Sequence, residues 1–486
     1  MHGGCNRILP VIILSIAVSL VQLCPPSLAS TIAMVSGSAT VDGRPLLFKN
    51  RDNSSNPDQE FYYNANGPYR YISVSYAGVE DQAWGGVNEV GFAINNANAW
   101  NFDDQVPGPD DDGYIMDLAL RTCQTVEDFQ AIMDSTDICG RTLPAIYGVI
   151  DASGAGALFE AASYEHFRFD LDDSSAAPNG YMVRANFAYE GGPYHLGQHR
   201  HDRVLALLDS AYAGGFISHL FVTQSILTDI VNEENDPYPL PFEGREELLP
   251  YGLIHTHDAI NRDITRSGFA IQGILPGEDP LLSTIWALVG EPICTIALPL
   301  WVHAGSTPVE FDGAHHSELN FKAQEFRDYL YQTQWASDAM DTWKLIDERG
   351  EGLLPFLDSL ENYAAFAGNA ALDEWRTTGL PSPETVETVQ NDLAAWALAE
   401  MNNWGPPQAP VVTLSWLSAD QVLLNWSPVT EDVFGRPITV SSYTVYASDL
   451  PFHNRLAGDS LTTVTLPPVT ISAPETYRFF QVRCQP

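Results

Sequence analysis

Short runs of apolar residues broken by turn residues dominate the first half of the chain. Thr31 to Thr40 is patterned as a strand, Asp42-Gly43 supplies a hairpin turn, and Pro45 to Asn50 is the return strand. Tyr69 to Tyr76 predicts a third strand. Trp84-Gly85-Gly86 leads into the turn Asn88-Glu89-Val90-Gly91 and a strand over Phe92 to Asn96. Met116 to Met133 switches to helical periodicity, restarted at Thr125-Val126-Glu127. A hairpin follows, Tyr147 to Ile150 and Ala157 to Ala162 around Asp151-Ala152-Ser153-Gly154, and then a strand over Tyr181 to Phe187. His201 to Ser210 and Ser218 to Val231 have helical spacing, and the proline-bearing stretch 234–250 is a loop.

Ser283 to Pro299 carries another apolar strand region around Trp286 and Cys294. From Ser317 to Trp404 the pattern is mostly helical, with Thr385 to Met401 the clearest amphipathic case. Gly405-Pro406-Pro407-Gln408-Ala409-Pro410 has the composition of a linker. Short β runs follow: Val411–Leu414, Val422–Trp426, Tyr443–Ala447, Val464–Leu466 and Tyr477–Val482. Their spacing fits a small β-sandwich. Strand hairpins alternating with helices predict a layered α+β domain over residues 30–404, with a helical extension at 317–404 and a separate β module at 410–486.

Residues 1–29 have the order of a secretory signal peptide. Arg7 supplies positive charge, Ile8 to Leu23 are mostly apolar, Pro25-Pro26 break the helix, and Ser27-Leu28-Ala29 is a small-x-small cleavage site. The apolar stretch is short for a membrane anchor. Leu23 before Cys24 is bulky where a lipidation signal wants a small residue. The expectation is an exported protein, secreted or periplasmic, with no membrane span after cleavage.

The 486 residues exceed one ordinary domain, and a 45% hydrophobic content supplies a sizeable core. With 23 Lys+Arg against 62 Asp+Glu the formal charge is −39, which repels nucleic acid and anionic membranes and argues against both as partners. Outside the leader, Cys123, Cys139, Cys294 and Cys484 allow three disulfide pairings. Cys123–Cys139, closest in sequence, is the preferred one. No cysteine spacing matches a zinc site.

Cleavage after Ala29 would give Ser30 a free α-amine beside its own hydroxyl. Such an amine titrates near 7.7–8.0 when unperturbed, about where a base is useful at neutral pH. A hydroxyl next to a base is an activated nucleophile. The hairpin after Ser30 returns Lys49, Asn50 and Asp52 towards this new end.

The segment Ser30-Thr31-Ile32…Asp42-Gly43…Lys49-Asn50-Arg51-Asp52 resembles the start of mature N-terminal nucleophile hydrolases of the linear-amide branch. That branch includes acyl-coenzyme A:6-aminopenicillanic acid acyltransferases, choloylglycine hydrolases and related dipeptidases. Gly86-Val87-Asn88-Glu89-Val90-Gly91-Phe92, the hairpin Val149 to Glu160, Arg184-Ala185-Asn186-Phe187, Asp202-Arg203-Val204 and the region Ile285-Trp286 to Pro299-Leu300 resemble further family segments in the family's order. The likeness spans residues 30–310. It implies an αββα sandwich and cleavage of a linear amide C–N bond in a peptide or N-acyl compound, by hydrolysis or acyl transfer. Pro410, Trp426, Tyr443 and Tyr446 resemble the fibronectin type III pattern, which implies an Ig-like β-sandwich for attachment to a surface or polymer.

The resemblance assigns roles. Ser30 attacks, with its α-amine as base. Amide groups of Asn186 and the Asn98 region hold the oxyanion. Asp52 accepts from the amine, and Lys49 and Arg203 set the local potential. Two positions depart from the family: Ser30 stands where this branch has Cys, and Lys49 where it has Arg, which keeps charge and loses the planar fork. These departures also fit an exported binding protein that keeps the fold without catalysis. Each residue has a plainer reading. Asn98 is a turn former at a strand end, Asp52 a turn cap, Arg203 a surface ion-pair partner, and Ser30 an ordinary first residue. No cofactor or metal is expected. His255-Thr256-His257-Asp258 lacks a second ligand pair in sequence and fits a structural loop, His315-His316 fits surface, and Asp110-Asp111-Asp112 lacks calcium-loop spacing.

Overall fold

The computed structural model describes residues 29–103, 106–234, 252–347, 350–418, 420–448, 459–472 and 479–485. The expected signal peptide up to Leu28 and most of the loop 234–250 lie outside the described residues. The fold is mixed α/β with antiparallel sheets. Among the described residues no helix is long and apolar enough to cross a membrane.

The first hairpin forms, although its first strand ends at Val35, short of the expected Thr40, and gives way to a 3₁₀ turn at Gly37–Ala39. Strand Ala29–Val35 pairs with Leu46–Asp52 through a turn in which Gly43 takes a φ of 78°. These two strands sit inside a six-stranded sheet, flanked by Tyr181–Arg184 on one side and by Thr265–Gln272, Thr284–Val289 and Leu298–Leu300 on the other. A seven-stranded sheet runs in chain order from Gln59–Asn64 through Tyr71–Tyr76, Gly85–Asn88, Ala93–Asn98, Ala145–Ile150 and Gly156–Ala161 to His166–Asp170.

Burial follows the period-2 alternation of these strands. Ile32, Met34 and Leu47 from the first sheet share one apolar core with Phe61, Ile72, Val74, Val87, Ala97 and Ile146 from the second. The opposite face of the first sheet, with Ala33, Phe48 and Val183, packs on Val204 and Leu208 of helix Gln198–Gly214 and on Leu372 and Trp375 of helix Leu353–Thr378. The outer face of the second sheet, with Tyr62, Ile94, Tyr147 and Phe159, packs on helices Asp112–Thr122 and Val126–Cys139. The break between those helices is the restart at Thr125, whose side chain accepts from the Asp128 backbone while Asp128 returns the contact. Such a capping box contributes about 1 kcal/mol.

Gly85 explains part of the Trp84-Gly85-Gly86 motif. At φ 140°, a Cβ there would lie 2.1 Å from the ring of Phe269 on the other sheet. Only glycine lets the two sheets approach so closely.

Several elements differ from expectation. The short His166–Asp170 strand alternates but was not expected, and strands Gln59–Asn64, Gly85–Asn88 and Thr265–Gln272 carry no clear alternation. The last is central to its sheet and holds Gly268, where a Cβ would sit 3.0 Å from Asn50 Oδ1. The preferred Cys123–Cys139 disulfide is absent, and all four described cysteines are free. Cys123 lies three residues before helix Val126–Cys139 and Cys139 ends it; the helix between them runs about 20 Å, far beyond disulfide reach.

The C-terminal β runs form two three-stranded antiparallel sheets, Thr413–Ser418, Gln421–Asn425 and Val469–Ser472 in one, Asp459–Val464, Ser442–Ser448 and Phe479–Gln485 in the other. Val422, Leu424, Trp426, Tyr443, Val445 and Ile471 fill the space between them. This module touches the rest of the chain: Phe434 packs near Phe326 and Trp404, and Arg436 donates to the Asn402 and Trp404 carbonyls.

Candidate active site

Strand Ala29–Val35 brings Ser30 opposite Arg51 and Thr31 opposite Asn50. Opposed residues of an antiparallel pair share a face. Ser30, Lys49 and Arg51 therefore face the seven-stranded sheet, while Thr31, Asn50 and Asp52 face helix Gln198–Gly214. Ser30 is buried, only 5% exposed.

Asn186 holds the Ser30 backbone. The ladder to Tyr181–Arg184 ends at Ile32 opposite Arg184. Two residues on, a side chain takes over: the Ser30 nitrogen donates to Asn186 Oδ1 at 3.1 Å. The Asn186 Nδ2 donates to the Asn98 carbonyl at 3.3 Å. Asn186 thus orients the Ser30 nitrogen through its oxygen and spends one of its two Nδ2 hydrogens on the Asn98 carbonyl. Asn98 Nδ2 is buried and has no hydrogen-bond partner among the described residues.

The arginine at this site is Arg200. Its Nη1 donates to the Ser30 carbonyl at 3.0 Å and to Thr31 Oγ1 at 2.7 Å, and its Nη2 donates to Asn186 Oδ1 at 2.8 Å. Arg203, one turn further along the same helix, is partly exposed and pairs with Asp229 at 2.6 Å, so it does not reach Ser30's partners. Burial, and secondarily the charge of Arg262, lower the Arg200 pKa to about 9, against the pull of Asp52 and Asp258.

Asp52 lies between two guanidiniums. Arg262 Nε donates to Asp52 Oδ2 at 2.9 Å, Thr265 Oγ1 donates to Oδ1 at 2.7 Å, and Arg200 Nη1 stands 3.8 Å from Oδ2. The carboxylate is fully buried, and its described contacts are these side chains, with the Ser30 nitrogen held by Asn186 instead. Asn50 Nδ2 donates to the Leu227 and Ile260 carbonyls, which fastens the loop before Arg262 to the sheet.

On the other face, Lys49 Nζ donates to the Trp84 carbonyl at 2.9 Å and to Asn96 Oδ1 at 2.5 Å. Asn96 Nδ2 passes the chain on to Asp112 Oδ2 at 2.7 Å. Burial, then Arg51, push Lys49 well below the usual lysine range, and burial raises Asp112 to about 6. The Arg51 guanidinium lies 4.6 Å and 4.9 Å from the ring centres of Tyr76 and Trp84. Lys49 therefore belongs to an inter-sheet network that includes Asp112 at the start of a helix.

Arg262 and Thr265 carry no motif in sequence. Arg200 does carry a signal: it lies four residues before Val204, on the stripe that buries Val204, Leu208 and Ala211. A surface cavity of about 620 Å³ beside Thr125, Asp151 and Arg168 contains none of the site residues.

No family model matches the chain, and no curated protein does. Among solved structures, the chain is similar to two variants of conjugated bile acid hydrolase from Clostridium perfringens. One has 12% identity and a TM-score of 0.33 over 54% of this chain and 89% of that one; the other has 12% and 0.31 over 53% and 92%. Penicillin V acylase from Agrobacterium tumefaciens has 14% identity and a TM-score of 0.30 over 56% and 85%.

Proposed function

We propose that the protein is an exported amidohydrolase of the N-terminal nucleophile type, which cleaves a linear amide C–N bond through Ser30 once residues 1–29 are removed. In this reading the two sheets and their flanking helices form the αββα sandwich of that class. The tail is a fibronectin type III-like module for attachment to a surface or polymer. The substrate is a small peptide or N-acyl compound, and water or a second amine takes the acyl group.

One observation carries the reading: the nitrogen that cleavage would turn into an α-amine already rests on Asn186 Oδ1, with Arg200 bound to the same oxygen. Cleavage makes that nitrogen basic. It then takes the proton from Ser30 Oγ as Oγ attacks the amide carbon, and returns it to the leaving amine as the C–N bond breaks. Arg200, bound to the Ser30 carbonyl and to Asn186 Oδ1, disfavours the ammonium, which keeps the amine available as a base. In this reading Asn98 Nδ2, buried and with no hydrogen-bond partner among the described residues, is assigned to the developing oxyanion. Asp52 holds Arg262, and with it the loop beside the site.

The test is the N-terminus of the exported protein. A mature chain beginning Ser-Thr-Ile-Ala supports the reading. A chain that begins elsewhere, or is lipidated at Cys24, leaves Ser30 without a free amine and overturns it.

A further inference from the structure

The strand Leu253–His255 pairs with Ala339–Asp341, His255 standing opposite Ala339. This brings Asp338 against a His-x-His pair more than eighty residues away in sequence. His255 Nδ1 lies 3.0 Å from Asp338 Oδ1 and 3.1 Å from Oδ2, and His257 Nδ1 lies 3.2 Å from Oδ2. One donor atom from each of the three residues lies within 4.8 Å of the others, and His257 forms a second such group with Glu233 and Asp258.

We propose that His255, His257 and Asp338 bind one divalent metal ion of the zinc class, with the fourth position open to solvent or a ligand. Two imidazoles with carboxylate suit zinc or a neighbouring late transition metal better than calcium or magnesium, which prefer all-oxygen sites. The spacing fits as well. Metal–ligand bonds of about 2.0–2.1 Å in a tetrahedron place ligand atoms about 3.3 Å apart. The nitrogen–oxygen separations here are 3.0–3.2 Å. The adjacent group adds negative charge beside His257: Asp258 Oδ1 is buried and has no hydrogen-bond partner among the described residues.

The site is held rigidly. Thr256 donates from both its nitrogen and its hydroxyl to the Asp338 carbonyl, at 3.2 Å each. The His257 carbonyl accepts from Arg262 Nη1 at 2.8 Å, and Arg262 also holds Asp52. A metal here would fasten the loop that carries Arg262. Its presence does not depend on the amidase reading.

The experiment uses the full exported chain, stripped with chelator and titrated with Zn²⁺ and, separately, Co²⁺. The expected result is one equivalent bound per chain, with visible Co²⁺ d–d bands of a low-coordinate nitrogen–oxygen site. His257→Ala replaces a half-exposed side chain and leaves the fold intact. Asp338→Asn keeps shape and removes the charge. Each should weaken Zn²⁺ binding by about a hundredfold or more. Wild-type binding no tighter than that of His257→Ala, or a Co²⁺ spectrum identical in the two, overturns the proposal. Stoichiometry and spectrum are read without turnover, so they stand or fall apart from the role of Ser30.

Discussion

Arg200 donates to Asn186 Oδ1 at 2.8 Å, and that oxygen also receives the Ser30 nitrogen at 3.1 Å. The same guanidinium holds the Ser30 carbonyl and Thr31 Oγ1. One buried planar group therefore sets the position of the candidate nucleophile's backbone from both sides.

Replacing Arg200 should cost both fold and function. Arg200→Met leaves the Ser30 carbonyl and Thr31 hydroxyl short of a buried donor and removes one cation beside Asp52. A loss of about 3–5 kcal/mol in urea-melt stability is expected, the size found when one side of a buried charged network is removed. Arg200→Lys should recover little, because a single ammonium cannot reach three acceptors in the fork's geometry. Full recovery by lysine would contradict this account of Arg200.

Asn98 and Asn186 should separate in the opposite sense. Asn98→Ala deletes a buried donor with no described partner, so stability should stay within about 1 kcal/mol. Amide turnover should nevertheless fall about 10²–10³-fold if that donor serves the oxyanion. Asn186→Ala removes the acceptor of two buried donors and should lower stability by several times more. Parallel melts and steady-state kinetics on the two variants check this; equal stability losses would count against the assignment.

How much of this was legible in sequence varies with the physics involved. Ser30 and the return of Asn50 and Asp52 could be read because a hairpin with an Asp-Gly turn is local, and local signals survive in one dimension. The helix break at Thr125 was legible for the same reason. Asn186 was legible as an amide inside an apolar strand, although its contacts give it an orienting task. Arg200 lies on the buried stripe of its helix, three residues before the Arg203 to which the family resemblance points. Arg262 and strand Thr265–Gln272 were invisible: the strand's alternation is interrupted by Gly268, which is there to admit Asn50. Asp338 meets His255 only through strand pairing over more than eighty residues, which no local pattern encodes.

Glu361 offers a pH test of the buried helix–sheet contact. It accepts from Thr223 Oγ1 at 2.5 Å and from the Ala297 nitrogen at 3.0 Å. Burial, with a smaller push from Asp358, raises it from the ordinary 4.5 to about 7. A folded pKa above the unfolded one means the folded state holds its proton longer. Stability from this group is therefore greatest below the unfolded value and declines as pH rises from about 4.5 to about 7. The decline amounts to at most about 3 kcal/mol. Glu361→Gln should flatten that part of the stability profile in urea melts. An unchanged profile would place the pH dependence elsewhere.

The most direct measurement of the central claim is single-turnover cleavage of an acyl amide by the mature chain and by two variants of its first residue. The account predicts amide cleavage by the wild type, background rates for Ser30→Ala with stability within about 0.5 kcal/mol, and retained activity for Ser30→Cys, whose thiol the same α-amine can deprotonate. Cleavage by Ser30→Ala at the wild-type rate would contradict it, and so would a correctly processed wild-type chain that cleaves no amide.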